Sequence, residues 1–198
     1  MPRFRQIHQL LEQRPFMSPD QSSNPSLIFW NILEAPSTSL RLNSAVGRFL
    51  QSQELTSFAT HPSVTRLRIL CGILPDTNGW RIEARNPRGV TVKDVFMAIY
   101  LLFQQPYSNE EFSTLCPKTQ TRVLDAYHAR VRATANPQKT WERGMNRVDC
   151  LMRHSWFGGL SLTYGNESEM EDTCILSLRV EEDTTLISPT QIVPSPFR

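Results

Sequence analysis

Residues 64–71 read VTRLRILC, and polar and apolar side chains alternate along this stretch. One side carries Leu67 and Ile69, and the other side carries Arg66 and Arg68. Strict alternation with β-branched residues is typical of a strand that buries one face. The stretch is therefore predicted to form a strand whose apolar side faces the core.

A second alternating stretch follows a short turn. Residues 76–79 read DTNG, a set of turn residues that tolerate positive φ. Residues 80–85 then place apolar side chains on one side and charged side chains on the other. The two strands are predicted to pair as an antiparallel hairpin. Its polar face would hold four arginines around one carboxylate: Arg66, Arg68, Arg81, Arg85 and Glu83.

Helices are predicted in the middle of the chain. Thr91 is an N-cap residue, and apolar side chains recur at helical spacing over 92–103. Ser108 and Glu111 form a capping-box pattern for a short helix that ends near residue 115, and Pro117 begins a longer helix that ends near residue 133. Residues 134–144, with Pro137 and Gly144, are predicted to be a loop. Other elements expected from their patterns are an N-terminal helix within 1–14 and strands over 27–33, 147–153, 156–163 and 174–180.

The order of these elements is β-β-β-α-α-α-β-β-β within the folded part. Strands and helices are grouped and do not alternate, which favours an α+β fold with a mainly antiparallel sheet and helices packed on one face. The length of 198 residues suits one domain with short extensions. We expect a short helix and flexible linker over 1–25, a single domain over 26–185 and a flexible Pro-rich tail over 186–198.

Composition and charge point to a soluble protein of the cytoplasm or nucleus. The four cysteines are widely spaced, which favours reduced thiols over a disulfide framework. The sequence shows neither an apolar signal-peptide core nor a run of about 20 apolar residues that could span a membrane. Arginine outnumbers lysine, 18 to 3, and seven of the 19 acidic residues lie after residue 166. This asymmetry leaves a basic excess in the folded part.

Several short segments, taken together, resemble a family of unknown function that is widespread in mushroom-forming fungi. The resemblance covers about residues 27 to 180 and rests on the segments ATHPSVTRLRI (59–69), LP (74–75), WRI (80–82), GVTVKDV (89–95), IY (99–100), RVDCL (147–151) and FGGL (157–160). Asn31 stands where the family often has Asp, and Ser63 stands where it often has a second proline. The resemblance implies a fungal source and a shared fold, and it implies no activity.

The sequence contains no recognised catalytic motif. It lacks a G-x-S-x-G elbow, an H-E-x-x-H pair, a P-loop and a G-x-G-x-x-G fingerprint. Its histidines and cysteines show no metal-ligand spacing, so neither a metal site nor a cofactor is predicted. Asp149 alternates with Val148 and Cys150 in the predicted strand 147–153, and we interpret it as an ion-pair partner of a hairpin arginine.

Three functions remain open on the sequence alone. The first is a non-catalytic binding domain that uses Arg66, Arg68, Arg81 and Arg85, with Asp149 nearby, to hold an acidic protein or a phosphate-bearing ligand. Nucleic acid is not favoured, because no aromatic side chain is interleaved on that face for stacking. The second is an enzyme whose site is assembled from His61, Asp149 and Cys150. The third is a structural subunit that requires a partner.

Overall fold

The computed structural model describes residues 6–13, 26–43, 47–73, 80–163 and 172–180. The predicted linker over 15–25 and the predicted tail over 186–198 lie outside these residues. In chain order the described residues form β1 (Gln6–Ile7), β2 (Ile28–Phe29), α1 (Pro36–Ser39), β3 (Arg41–Leu42), α2 (Ser52–Thr56), β4 (Thr60–His61), β5 (Arg66–Cys71), β6 (Ile82–Arg85), α3 (Val92–Phe103), α4 (Asn109–Ser113), α5 (Pro117–Ala133), α6 (Pro137–Arg143), a 3-10 helix (Arg147–Leu151), β7 (Trp156–Leu162) and β8 (Thr173–Arg179).

The main sheet has four strands in the order β6-β5-β8-β7. β5 and β6 are antiparallel, with Arg66 opposite Arg85 and Ile69 opposite Ile82. β8 runs antiparallel to β7 and parallel to β5. The predicted hairpin pairing and the α+β fold with a mainly antiparallel sheet are therefore confirmed, and the parallel contact between β5 and β8 is an addition to them.

The helix α3 packs against β6. It begins where the sequence predicts, because the Thr91 hydroxyl accepts a hydrogen bond from Asp94 N over 3.2 Å while Asp94 accepts one from Thr91 N over 2.9 Å. Leu67, Ile69 and Ile82 are buried in the same core cluster as the helix. Burial of each such side chain contributes roughly 1.5–3 kcal/mol. The helix buries its own apolar stripe in the same layer: Val92, Val95, Phe96, Ile99, Leu102 and Phe103.

The N-terminal segment forms a strand and turns where a helix was predicted over 1–14. Among the described residues 6–13, Ile7 of β1 pairs with Thr60 of β4. Leu11 is fully buried, and its carbonyl accepts a hydrogen bond from Leu160 N over 2.6 Å. Gln13 N donates to the Leu160 carbonyl over 2.8 Å. The helix prediction was wrong for these residues, because backbone hydrogen bonds to β4 and β7 replace those within a helix.

The strand predicted over 147–153 is also wrong, because this segment forms the 3-10 helix. Val148, Asp149 and Leu151 are all buried, a pattern that the period of two in a one-sided strand does not allow. Asn146 and Asp149 form a capping box at its start. The predicted loop over 134–144 contains α6, whose N-cap residue Asn136 accepts a hydrogen bond from Lys139 N over 3.1 Å.

The remaining elements agree more closely with the sequence patterns. α4 and α5 occupy the predicted positions, and β7 and β8 lie within one residue of the predicted starts. The strand predicted over 27–33 is confirmed only at Ile28–Phe29, which pairs with β3 outside the main sheet. Its neighbour Trp30 is fully buried and contacts Phe96 of α3 and Phe157 of β7. Trp30 therefore joins this segment to both layers of the core.

A second, smaller apolar cluster lies beside the main core. It forms around Trp80, Tyr107 and Val123, which α4, α5 and the 3-10 helix help to enclose. The Trp80 and Tyr107 rings meet edge to face with centroids 5.8 Å apart. This cluster carries the largest of the cavities described below.

Candidate functional site

The outer side of β5 and β6 carries the four predicted arginines, and we call these residues the arginine face: Arg66, Arg68, Arg81 and Arg85. The strand register sets Arg66 opposite Arg85 and Arg68 opposite Glu83. Residues that oppose each other directly share one side of a sheet, which groups Arg66, Arg68 and Arg85 with Glu83. Arg81 is exposed and immediately precedes β6, where continued alternation would put it on the same side.

Glu83 neutralises part of the arginine face. Its carboxylate lies 3.1 Å from Arg66 Nε and 2.7 Å from Arg85 Nη2. Among the described residues, neither Arg68 nor Arg81 forms an ion pair. The face therefore carries four guanidinium groups and one carboxylate, and two of its cations form no ion pair within the described part of the chain.

Asp172, the last residue of the predicted acidic loop, bonds the backbone of β5 beside this face. Arg68 N donates a hydrogen bond to the Asp172 carbonyl over 2.8 Å, at the start of β8. The other acidic residues of that stretch, Glu167, Glu169 and Glu171, lie outside the described residues.

Asp149 lies apart from the hairpin arginines and pairs with Arg130 of α5. Arg130 Nε donates to Asp149 Oδ1 over 2.7 Å, and Arg130 Nη2 donates to Oδ2 over 2.8 Å. Asn146 N also donates to Asp149 Oδ2, over 2.9 Å. The interpretation of Asp149 as a partner of a hairpin arginine is wrong, because the 3-10 helix turns this carboxylate toward α5. Its contacts fasten α5 to the 3-10 helix.

The residues of the enzyme hypothesis do not meet in one cavity. His61 is exposed on β4 and lines a cleft with β1, whereas Cys150 lines the apolar pocket described below. Asp149 lines neither of these, and both of its oxygens accept hydrogen bonds from Arg130. Burial raises the pKa of the Cys150 thiol to about 11, so this thiol is protonated near neutral pH.

A cavity of about 640 Å³ opens next to the second apolar cluster. We call it the apolar pocket, and it is lined by Ile73, Trp80, Tyr107, Glu110, Glu111, Thr114, Leu115, Thr119, Val123, Cys150 and Met152. Sequence reasoning did not predict this pocket. Its walls come from Trp80, α4, α5 and the 3-10 helix with the residues next to them, and their convergence depends on tertiary contacts that no local pattern encodes.

Buried polar contacts hold the Trp80 wall of the pocket. Trp80 Nε1 donates a hydrogen bond to Glu111 Oε1 over 2.8 Å. The Arg147 guanidinium lies over the Trp80 ring, 4.5 Å from its centroid. Arg147 Nη2 also lies 3.5 Å from Glu111 Oε1. Glu111 and Arg147 therefore fix the position of the indole ring.

A match to a protein family extends over both the arginine face and the apolar pocket. A family of unknown function, DUF6699, matches the chain over residues 28–172. The chain belongs to this family. The predicted resemblance to a domain family of unknown function is thus confirmed. No curated protein and no solved structure matches the chain. The DUF6699 range contains the whole arginine face and every residue that lines the apolar pocket.

The described residues offer neither a membrane-spanning helix nor a metal-binding cluster. None of the helices in this part of the chain has the length and apolarity required to cross a membrane. No cluster of three or more His, Cys, Asp or Glu side chains among the described residues is placed to hold a metal ion.

Proposed function

We propose that this protein is a non-catalytic binding domain whose arginine face holds an acidic segment of a partner protein. One observation carries the proposal. Glu83 forms ion pairs with Arg66 and Arg85, whereas Arg68 and Arg81 have no carboxylate partner among the described residues. Arginine suits such contacts because its planar guanidinium can hydrogen-bond both oxygens of a carboxylate. Arg68 and Arg81 are the residues that would contact the partner first.

The spacing of the face favours an extended acidic segment over a single phosphate group. Side chains on one side of a strand recur about every 7 Å, since each residue rises by roughly 3.3 Å. The cations are therefore spread along β5 and β6 and do not converge on one point. A peptide with a carboxylate at every second residue has the same repeat when it is extended. Such a peptide matches the face in both charge and spacing.

The positions of the candidate catalytic residues support a binding role as well. His61 and Cys150 line different cavities, and Asp149 is held by Arg130. A nucleophile and its base have to lie within hydrogen-bond reach to act together.

Binding of a labelled peptide in which Glu alternates with Ser tests this proposal, with fluorescence anisotropy as the readout. Replacement of Arg68 and Arg81 by Ser is expected to weaken binding by up to about thirtyfold, and replacement of all four arginines to weaken it further, because each contact contributes up to about 1 kcal/mol. The matched control replaces Arg122 and Arg132 by Ser, two exposed arginines of α5. This control should bind as the parent does.

Two outcomes would contradict the proposal. In the first, the variant without Arg68 and Arg81 binds the peptide as tightly as the parent, while circular dichroism shows that both are folded. In the second, inorganic phosphate displaces the peptide far more strongly than sodium chloride of equal ionic strength does. That result would assign the face to a phosphate-bearing ligand.

We also propose that the protein acts in the cytoplasm or nucleus of a fungal cell. The fungal source is supported by the sequence resemblance, and the compartment is supported by the cysteines. None of the four cysteines, all of which lie in the described part of the chain, forms a disulfide: Cys71, Cys116, Cys150 and Cys174. Free thiols are the rule in reducing compartments, whereas secreted domains of this size commonly form disulfides. Fractionation of a native fungal cell, with an antibody against the chain, tests both statements.

A further inference from the structure

The apolar pocket has the dimensions and lining of a small-molecule site. Its volume of about 640 Å³ falls in the range of roughly 300–1,000 Å³ that ligand pockets occupy. Aromatic, aliphatic and sulfur-containing side chains form most of its wall, among them Trp80, Tyr107, Leu115 and Met152. Such a lining favours a flat apolar ligand body over a sugar or a phosphate.

Hydrogen bonds within the protein hold the wall of the pocket in place. Glu111 Oε1 accepts the Trp80 indole N–H, while Glu111 Oε2 accepts hydrogen bonds from Ser108 N over 3.1 Å and from Ser108 Oγ over 2.9 Å. The Tyr107 ring on the same wall packs edge to face against Trp80, with centroids 5.8 Å apart. A wall that is already ordered loses little conformational entropy when a ligand binds.

One carboxylate at the rim of the pocket remains available to a ligand. Glu110 is exposed and lines the pocket, and within the described part of the chain its carboxylate forms neither a hydrogen bond nor an ion pair. Its neighbour Glu111 is already occupied by Trp80 and Ser108. A carboxylate beside an apolar cavity attracts a cation that is attached to an apolar body.

We propose that the apolar pocket binds a small organic ligand with a flat apolar body and a basic nitrogen. The body would contact Trp80, Tyr107 and Leu115, and the nitrogen would pair with Glu110. The volume of the pocket matches that of a small-molecule site. The site lies apart from the arginine face, which attracts the opposite charge, and it does not depend on the acidic partner proposed for that face.

Titration with 2-naphthylmethylamine, followed by NMR of the Trp80 indole N–H, tests the proposal. The amine is expected to give a saturable shift with a dissociation constant below about 1 mM, and the neutral analogue 2-naphthalenemethanol to bind about threefold more weakly. Replacement of Glu110 by Gln should remove the preference for the amine and leave binding of the alcohol unchanged.

A bulky substitution at the rim provides the matched control. Thr119 lines the pocket and Thr121 is exposed two residues along the same helix. Thr119→Trp fills the cavity and should weaken both probes at least about tenfold, whereas Thr121→Trp should leave them unchanged. The proposal is overturned if the amine gives no saturable shift at 5 mM, a concentration about fivefold above the expected constant. It is equally overturned if the alcohol binds as tightly as the amine, or if the Thr119 variant binds both probes as the parent does.

Discussion

Arg130 and Asp149 form a two-point ion pair between α5 and the 3-10 helix, with N–O distances of 2.7 Å and 2.8 Å. The Asp149 side chain is only 1% exposed, and the Arg130 side chain is 16% exposed. Arg130 Nη2 also donates to the Gly144 carbonyl over 3.1 Å. These contacts hold together the segments that enclose the apolar pocket from two sides.

Loss of Arg130 is expected to destabilise the fold strongly. Arg130→Met leaves the buried Asp149 carboxylate without its cation, which typically costs about 3–5 kcal/mol of the free energy of unfolding. Urea denaturation of the variant and the parent measures this loss. Arg132→Met, on an exposed residue of the same helix, should change the free energy by less than about 0.5 kcal/mol. If the two variants are equally stable, the Arg130–Asp149 contact has no structural role.

The ion pair between Arg48 and Glu54 predicts a pH dependence in mildly acidic solution. The side-chain hydrogen bonds from Arg48, 2.8 Å and 2.7 Å long, and one from Gln51 N lower the pKa of Glu54 from 4.5 to about 2. A lowered pKa in the folded state adds stability that is fully present above pH 4.5 and is lost as the pH falls toward 2. The contact is partly open to solvent, so it contributes about 0.5–1 kcal/mol.

Glu54→Gln tests this dependence by urea denaturation at several pH values. The variant should be less stable than the parent at pH 7, and the difference should shrink as the pH falls from 4.5 toward 2. At neutral pH, 1 M sodium chloride should also reduce the difference, because salt screens surface charges. A difference that stays constant across this range would show that the charge of Glu54 is not the cause.

Gly159 is the residue on β7 against which the N-terminal segment rests. Its φ is +107°, and a Cβ at this position would lie 2.6 Å from the Gln13 backbone. Gly159→Ala is therefore expected to cost more than about 1 kcal/mol and to release residues 6–13 from β7. Hydrogen exchange at the amide of Gln13, which bonds the Leu160 carbonyl, should accelerate.

Gly72→Ala is the matched control for the Gly159 variant. A Cβ at Gly72 meets no atom within 4 Å, and the residue has no positive φ. This variant should be as stable as the parent or slightly more stable, because alanine restricts the unfolded chain. Equal stability of the Gly159 and Gly72 variants would contradict the close packing of the N-terminal segment on β7.

Removal of the Glu83 carboxylate is expected to strengthen binding of the alternating Glu–Ser peptide. Glu83→Gln frees Arg66 and Arg85 from the carboxylate that they share. One additional exposed charge pair contributes up to about 1 kcal/mol, which corresponds to about a fivefold gain in affinity. Glu142→Gln removes an exposed carboxylate of α6 and should have a smaller effect. Weaker binding by the Glu83 variant would contradict the role of the face.

The elements that were predictable from the sequence are those specified by local signals. β5 and β6 alternate with a period of two, and their apolar side is buried as that pattern requires. α3 has both halves of a capping box, Thr91 and Asp94, followed by an uninterrupted apolar stripe. The grouping of the four arginines follows from this alternation of neighbouring residues. It can therefore be predicted from the sequence.

The errors arose where tertiary contacts override a local pattern. The alternating pattern of Val148, Cys150 and Met152 is that of a strand. Asp149 lies between them, however, and it is buried by its pairing with Arg130, 19 residues away in sequence. A helix signal was present in Asn146, three residues before Asp149, and it is the capping box that the structure contains. Asn136 followed by proline likewise marks the start of α6.

The apolar pocket could not be predicted because its walls come from distant parts of the chain. The hydrogen bond from Trp80 to Glu111 spans 31 residues, and the contact of Arg147 with Glu111 spans 36. Neither contact has a sequence pattern of its own. The N-terminal segment was mispredicted for a similar reason, since Leu11 and Gln13 bond the backbone of Leu160.

The amide chemical shifts of the protein, followed by NMR as the alternating Glu–Ser peptide is added, locate its binding surface directly. If the arginine face holds an acidic segment, the shift changes will concentrate at residues 66–70 and 81–85 and will fade as salt is raised. Changes centred on the exposed arginines of α5, or no saturable change at all, would contradict a binding role for this face.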